Sequence, residues 1–200
     1  MVLYYITDRK QFAGNEESRR RALLAKIAEA SRHGVDFIQL REKDLTVREL
    51  EALAREAVCA VRGNSSRTRL LINSRTDVAI ACGADGVHLR GEDVLPSEVR
   101  AAWRQGAPVI SVSCHSTAEV GRAAREGADL AVFAPVFEKR GASGVGLEML
   151  QAACAHPIRV LALGGVTREN ARACVEAGAA GVAGIRLFQE AAGPVMVKGS

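Results

Sequence analysis

Aromatic side chains are scarce in this chain of 200 residues, at 4% of the total, although 48% of its residues are hydrophobic. Alanine, valine, leucine and glycine must therefore fill the core, which favours helices packed closely on strands over an aromatic-filled β-sandwich. No apolar run is long enough to cross a bilayer, and no signal peptide precedes the first strand-like run. We expect a cytoplasmic protein with no membrane partner.

Paired cysteines are missing as well, because the five cysteines form no CxxC motif and their number is odd. Cysteine in alanine-rich segments such as Ala152–Ala155 usually packs as a small core residue, so we expect free thiols in a reducing compartment. The chain also lacks HxH spacing. We therefore expect no tightly bound transition metal.

Clustered positive charge is absent too. The formal net charge is +4, and the basic residues are scattered among acidic ones without interleaved aromatics. This pattern argues against a nucleic-acid partner. The small positive surplus favours an anionic metabolite as the ligand.

Strand-like runs alternate with amphipathic helical stretches along the whole chain. The strand-like runs are Val2–Ile6, Val35–Leu40, Arg69–Asn73, Gly86–Leu89, Pro108–Ser113, Leu130–Ala134, Arg159–Leu163 and Gly181–Ile185. Eight such units in series, joined by short links, predict an α/β protein with a single compact (β/α)8 TIM barrel over residues 1–200. Residues 193–200 are expected to form a loose C-terminal tail. An open doubly wound sheet is the alternative fold.

The helical stretches carry start and stop signals. They lie near Ser18–Arg32, Val47–Val61, Arg75–Cys82, Pro96–Gln105, Thr117–Glu126, Gly146–Ala155, Thr167–Ala177 and Leu187–Ala192. Ser116 or Thr117 can cap the fifth helix and Thr167 the seventh. Glycines such as Gly83 can close the preceding helices.

The second strand-like run changes abruptly from apolar to charged. Side chains of an extended chain repeat every second residue, so Gln39, Arg41 and Lys43 share one face with Phe37. An amide, a guanidinium and an ammonium aimed at one point suit a small anionic ligand, although a solvated strand end is the alternative interpretation.

Glycines follow the last two strand-like runs. Gly164 and Gly165 end the seventh, and Gly184, Ile185 and Arg186 end the eighth. Glycine lets the backbone approach a ligand, and the loops after strands 7 and 8 are the usual phosphate site of this barrel. We predict phosphate binding here; a tight strand-to-helix turn is the alternative.

Histidines and acids near the strand ends are the candidates for chemistry. His115 follows the fifth strand, where it can transfer protons, although a loop histidine bonded to the backbone is an equally good interpretation. Cys114 has no evident acid–base partner and is expected to pack, and a structural role is expected for His88. Asp93 is the clearest carboxylate for a loosely held Mg²⁺, without a sure partner.

With these residues in view, the chain resembles the thiamin phosphate synthase/TenI family along almost its full length. The matching segments are Tyr4–Asp8, Gln39–Lys43, Leu71–Arg75, Gly83–Leu89, Ile110–His115, Gly127–Asp129, Ala134–Phe137 and Ala162–Asn170. The resemblance implies a (β/α)8 barrel. Synthases of the family join hydroxymethylpyrimidine diphosphate to a thiazole phosphate and release pyrophosphate. TenI-like members include a tautomerase that aromatises the thiazole carboxylate phosphate.

The resemblance also implies roles for particular residues. Gln39, Arg41, Lys43 and Asn73 match residues that contact the pyrimidine diphosphate in synthases. Gly165, Ile185 and Arg186 fall at the thiazole-phosphate site, where the synthase pattern typically has a serine at or near Arg186. Ser113 and His115 match the fifth-strand segment in which TenI-like tautomerases place their acid–base histidine.

Two departures from the synthase pattern decide between the synthase and tautomerase reactions. The synthase pattern has a Mg²⁺-binding aspartate where this chain has Ser74, although the partner aspartate persists as Asp93. The synthase loop Pro-Thr-x-Thr-Lys is replaced by Phe137–Gly141, in which Lys139 could still bind substrate phosphate. Loss of metal charge and loop hydroxyls removes stabilisation of a departing pyrophosphate.

The sequence therefore ranks three functions. A TenI-like thiazole tautomerase without a cofactor comes first, and a Mg²⁺-dependent thiamin phosphate synthase is a close alternative. A non-catalytic regulatory barrel that binds a thiamin-related phosphate is third. All three imply a small phosphorylated ligand, and they leave a homo-oligomer open.

Overall fold

Eight parallel strands hydrogen-bond in chain order, and the first also pairs with the eighth, so the sheet closes into a barrel. The computed structural model describes residues 1–138 and 143–190. The strands are β1 (Val2–Ile6), β2 (Phe37–Leu40), β3 (Arg69–Asn73), β4 (Gly86–Leu89), β5 (Val109–Cys114), β6 (Leu130–Phe133), β7 (Arg159–Ala162) and β8 (Gly181–Gly184). The predicted TIM barrel is confirmed, and the open-sheet alternative is wrong. The tail predicted at 193–200 lies outside the described residues.

A helix follows each strand on the outside of the barrel. The helices are α1 (Glu16–Arg32), α2 (Val47–Arg62), α3 (Thr76–Cys82), α4 (Pro96–Ala102), α5 (Thr117–Arg125), α6 (Gly146–Cys154), α7 (Ala171–Glu176) and α8 (Arg186–Gln189), and a short 3₁₀ helix, Arg9–Gln11, follows β1. No helix of the described part of the chain combines the length and apolarity needed to span a membrane.

The period-2 alternation of β2 separates the two cores of the molecule. Phe37 points inward and packs with barrel-interior residues such as Tyr4 and Leu71. Ile38 and Leu40 point outward and are completely buried against the helices. Because Gln39 has the parity of Phe37, its amide lies inside the barrel at the carboxyl end of the strand. The predicted shared face of Phe37 and Gln39 is therefore confirmed.

The seventh helix begins later than the sequence suggests. α7 starts only at Ala171, but the Thr167 hydroxyl accepts the Asn170 backbone N–H at 3.4 Å and the Thr167 carbonyl accepts the Ala171 N–H at 3.1 Å, which are the bonds of the predicted cap. The backbone N–H of Thr167 donates to the Asn170 side chain at 2.8 Å, and the Asn170 amide donates to the Gly165 carbonyl at 3.0 Å. These bonds hold residues 167–170 as a turn between β7 and α7.

Candidate active site at the carboxyl ends of the strands

A cavity of about 1080 Å³ opens at the carboxyl ends of the strands. It is lined by nearly every residue that the sequence assigned to the site: Gln39, Arg41, Lys43, Asn73, Ser113, His115, Gly164, Gly165, Gly184, Ile185 and Arg186. Asp93 is not among its lining residues, and Lys139 lies outside the described residues. Residues far apart in the chain thus meet in one site, as expected for this barrel.

Two amides form part of the cavity floor. Gln39 is 1% exposed, and its Nε2 donates to the Asn73 Oδ1 at 3.0 Å. The Gln39 Oε1 is buried and has no hydrogen-bond partner among the described residues. A buried acceptor without a partner is costly, so this oxygen is suited to a ligand N–H group that reaches the floor.

His88 also reaches the floor, which the sequence analysis missed. Its Nε2 lies 2.8 Å from the Ser113 Oγ, and its Nδ1 lies 2.9 Å from the Ser111 Oγ and 3.2 Å from the Tyr4 hydroxyl. Burial, assisted by the nearby Arg41 charge, lowers the pKa of His88 to about 3 against the opposing effect of Asp93. The imidazole is therefore neutral at physiological pH and orients the Ser113 hydroxyl.

The strand register explains how His88 reaches the floor. His88 pairs with Asn73 on the neighbouring strand, so both side chains point into the barrel. Its flanking residues, Val87 and Leu89, are apolar and completely or almost completely buried. A histidine between two apolar residues indicated a structural role, and that role is compatible with its contact to the cavity.

Three cations gather at the ends of β2 and β4. Arg41, Lys43 and Arg90 all line the cavity. The positive charge of Arg41, then burial, then the charge of Arg90 lower the pKa of Lys43. Like charges held this close repel one another, and an anion bound between them would relieve that repulsion. Arg90 was not identified from the sequence as a site residue.

Asp93 is engaged by Arg90. The Arg90 backbone N–H donates to its carboxylate at 2.7 Å and the Arg90 Nη2 at 3.0 Å. Burial raises the pKa of Asp93, but these bonds and the Ser74 hydroxyl bring it below its ordinary value. Within residues 1–138 and 143–190, no group of three His, Cys, Asp or Glu side chains could hold a metal ion. One paired carboxylate and one hydroxyl do not fit a Mg²⁺ ion held by the protein.

The ends of β7 and β8 form the other side of the cavity. Gly164 and Gly165 have positive φ angles of 92° and 64°. A Cβ atom at Gly165 would lie 2.7 Å from the Glu138 carbonyl oxygen, and one at Gly164 would lie 2.7 Å from the Pro135 Cα. Only glycine fits both positions, and it leaves the backbone open to a ligand.

Charges of both signs line this glycine side. The residues that line the cavity there include Arg168 and Arg186 together with Glu138, Glu169 and Glu190. An anion on this side would therefore depend on the glycine backbone and the two guanidinium groups for its contacts. The phosphate site expected here stays a prediction.

His115 is exposed at the rim, one residue beyond the end of β5. Its Nδ1 lies 2.8 Å from the Ala134 carbonyl oxygen, which can only accept, so Nδ1 carries a proton, and Nε2 has no hydrogen-bond partner among the described residues. Its backbone N–H donates to Glu119 at 2.6 Å. The neighbouring Cys114 is buried, which raises the pKa of its thiol to about 12 and agrees with the predicted packing role.

These features define a (β/α)8 barrel whose mouth combines cationic side chains with open glycine backbone. The family model described as thiamine monophosphate synthase matches residues 3–188. The chain therefore belongs to the thiamine monophosphate synthase family of thiamin biosynthesis.

Individual relatives agree with this assignment. One relative is a Geobacter sulfurreducens protein that is named provisionally as a thiamine-phosphate synthase. It is 44% identical over 188 residues, which cover 90% of this chain and 83% of that protein. The thiamine-phosphate synthase of Chlorobium luteolum is 39% identical over 175 residues, 84% of this chain and 80% of that protein.

A solved structure is similar as well. The thiamine phosphate pyrophosphorylase of Pyrococcus furiosus superposes with a TM-score of 0.81 at 28% identity, covering 97% of this chain and 90% of that chain. The names of the relatives favour the synthase reaction over the tautomerase that the sequence analysis placed first.

Proposed function

We propose that the protein is a thiamin-phosphate synthase that joins hydroxymethylpyrimidine diphosphate to a thiazole phosphate. One observation carries the proposal: the cavity has a cationic region and a separate region of open glycine backbone. The cations Arg41 and Lys43 follow β2, and the glycines follow β7 and β8. A reaction between two phosphorylated substrates needs two such regions in one cavity.

The residues have separate tasks in this reaction. The thiazole nitrogen bonds to the methylene carbon of the pyrimidine while the bond from that carbon to the diphosphate oxygen breaks. Pyrophosphate leaves with the bonding electron pair. Arg41 and Lys43 stabilise its growing negative charge, which is usually the largest catalytic contribution of this kind.

The floor orients the pyrimidine. The unpartnered Gln39 Oε1 accepts a hydrogen bond from an amino group of the ring. The Ser113 hydroxyl, oriented by neutral His88, provides a second polar contact. Burial of the floor keeps both contacts in an environment where hydrogen bonds are stronger than in water. The glycine side holds the thiazole phosphate so that its ring faces the pyrimidine methylene.

A coupled assay tests this proposal. The unmodified protein, given both precursors, should form thiamin phosphate and an equal amount of pyrophosphate. The Arg41→Gln variant should lose about 10²-fold in kcat/KM, as expected when one preorganised charge contact is removed. Formation of no thiamin phosphate by protein that binds both precursors would contradict the synthase assignment.

A thiazole tautomerase is the second candidate, favoured by two observations. Ser74 supplies no carboxylate beside Asp93, and the His115 ring is held through Nδ1, while Nε2 has no hydrogen-bond partner among the described residues. The same preparation should then isomerise the thiazole carboxylate phosphate. His115→Asn should lower that turnover by about 10²–10⁴-fold, the usual range for a positioned acid–base group. Binding of both phosphates without either turnover would instead support a non-catalytic barrel.

A further inference from the structure

The three cations at the ends of β2 and β4 carry more positive charge than the neighbouring carboxylates of Asp93 and Glu92 balance. Arg41, Lys43 and Arg90 line the cavity, whereas Asp93 does not. The Asp93 side chain is 10% exposed and that of Arg90 58% exposed. The guanidinium of Arg90 therefore lies at the cavity surface, with the carboxylate behind it.

Asp93 has little charge left to offer a divalent cation. Its two oxygens accept from the backbone and the guanidinium of Arg90. The adjacent Ser74 is neutral, and its backbone is held by an N–H bond to the His88 carbonyl at 2.8 Å. A divalent cation would enter against the charges of Arg41 and Lys43, whereas a multivalent anion would be attracted by them.

Arg90 has free hydrogen-bonding capacity toward the cavity. Among the described residues, its guanidinium donates only from Nη2, to Asp93. A guanidinium has five N–H donors, so Nε and Nη1 remain available for a second anion. Arginine also binds phosphate oxygens through two parallel hydrogen bonds.

We propose that Arg90 is a diphosphate-binding residue, and that this chain holds a pyrophosphate-type anion with Arg41, Lys43 and Arg90 in place of a protein-bound divalent cation. The inference rests on the proposed function, because it assigns the diphosphate of that reaction to this cluster. Arg90 keeps its bond to Asp93 and adds contacts to the anion. Asp93 is an ion-pair partner of Arg90, without a role as a metal ligand.

Titration calorimetry with inorganic pyrophosphate tests the site directly. In EDTA the unmodified protein should bind pyrophosphate, and Arg90→Gln should bind it about 10- to 100-fold more weakly, as expected for one or two charge-assisted hydrogen bonds. The matched control is Arg75→Gln. Arg75 follows the neighbouring strand β3 and is ion-paired with Asp77, but it does not line the cavity. Its substitution removes the same charge and should change the affinity less than about threefold, because exposed charges at a distance are screened.

Magnesium separates the two explanations of the site. Adding Mg²⁺ should not strengthen pyrophosphate binding by the unmodified protein. Asp93→Asn should bind pyrophosphate in EDTA as tightly as the unmodified protein or more tightly, because it removes a competing anion from Arg90. Unchanged binding of thiazole phosphate by each variant shows that its barrel is intact.

Three results would overturn the proposal: pyrophosphate binding that requires Mg²⁺, an Arg90→Gln variant with unchanged affinity, or a substantial loss of affinity in Asp93→Asn. The proposed function is tested separately. Coupling that strictly needs Mg²⁺ would refute this inference and leave the synthase assignment standing. Metal-free pyrophosphate binding through Arg90 without any coupling would support this inference and refute the synthase assignment.

Discussion

Arg9 and Glu42 form an ion pair in which the Arg9 Nη1 lies 3.1 Å from the Glu42 Oε2 and the two side chains are only 4% and 1% exposed. The other Glu42 oxygen accepts from the Thr7 hydroxyl at 2.6 Å. The same hydroxyl accepts from the Arg41 backbone N–H at 2.9 Å. The buried pair thus joins the ends of β1 and β2 and fixes the backbone that carries Arg41.

Breaking this pair should cost both stability and substrate affinity. Glu42→Leu leaves the Thr7 hydroxyl and the Arg9 backbone N–H without their acceptor, and each such loss costs about 1–3 kcal/mol. We expect urea denaturation to show that the free energy of unfolding falls by about 3 kcal/mol. Calorimetry should show weaker pyrophosphate binding, because the Arg41 backbone loses its support.

The control for Glu42 is an exposed ion pair on α1. Glu17 and Arg21 are paired, but their side chains are 80% and 77% exposed. Glu17→Gln should lower the free energy of unfolding by less than about 0.5 kcal/mol. If Glu42→Leu were no more damaging than Glu17→Gln, the buried network would have no supporting role.

Stability should fall as the pH is lowered through the range in which His88 would ordinarily titrate. Burial holds the pKa of His88 at about 3, whereas the unfolded chain takes up the proton near pH 6.5. Between these values the unfolded state binds more protons, so the free energy of unfolding should decrease by about 2 kcal/mol from pH 7 to pH 5 on account of this residue.

Denaturation at both pH values, with two variants, checks this prediction. His88→Gln should show a smaller decrease than the unmodified protein, whatever its stability at pH 7. The control is His33→Gln, since the His33 side chain is 35% exposed. The His33→Gln variant should keep most of the decrease in the free energy of unfolding between pH 7 and pH 5. Equal pH dependence in His88→Gln and the unmodified protein would mean that another group is responsible.

The backbone at Gly165 should be indispensable for binding the thiazole phosphate. Alanine there is strained by the positive φ angle and meets both Glu138 and Phe137 at 2.7 Å. Gly165→Ala should therefore displace the loop and weaken thiazole-phosphate binding more than about tenfold, the equivalent of 1.4 kcal/mol. Calorimetry with the phosphorylated and unphosphorylated thiazoles would measure the effect, which should be confined to the former.

Gly34→Ala is the matched control for Gly165→Ala. Gly34 also has a positive φ angle, of 76°, but a Cβ atom there meets nothing within 4 Å. It lies between α1 and β2, at the opposite end of the barrel from the cavity. This variant should lose about 1 kcal/mol of stability and keep its affinity for the phosphate. Equal losses of affinity in the two variants would indicate a general effect on the fold.

Ser74→Asp should make pyrophosphate binding respond to Mg²⁺. The Ser74 φ angle is 60°, and Asp and Asn tolerate this left-handed conformation better than most residues. A second carboxylate beside Asp93 should let Mg²⁺ strengthen pyrophosphate binding about tenfold. Ser74→Asn has the same shape without the charge and should show no response to Mg²⁺. A response in both variants, or in neither, would contradict this account.

Local sequence patterns were sufficient for the barrel and for much of its mouth. The strand and helix periods, the glycines after β7 and β8, and the common face of Phe37 and Gln39 are properties of contiguous residues. Backbone geometry therefore translates them into structure without knowledge of neighbouring strands. Once the strands were placed in a barrel, their carboxyl ends had to meet.

Other features depended on which side chains neighbouring strands bring together. Nothing adjacent to His88 in the chain indicates that it meets Ser113 and Tyr4 inside the barrel. Glu42 lies between two charged residues in an ordinary-looking run, and its burial against Arg9 becomes visible only when β1 and β2 are paired. Burial and contacts between neighbouring strands decide hydrogen-bond partners and pKa values. Both depend on how the strands are aligned in the folded barrel. For the same reason, only the folded structure could place Arg90 between Asp93 and the cavity.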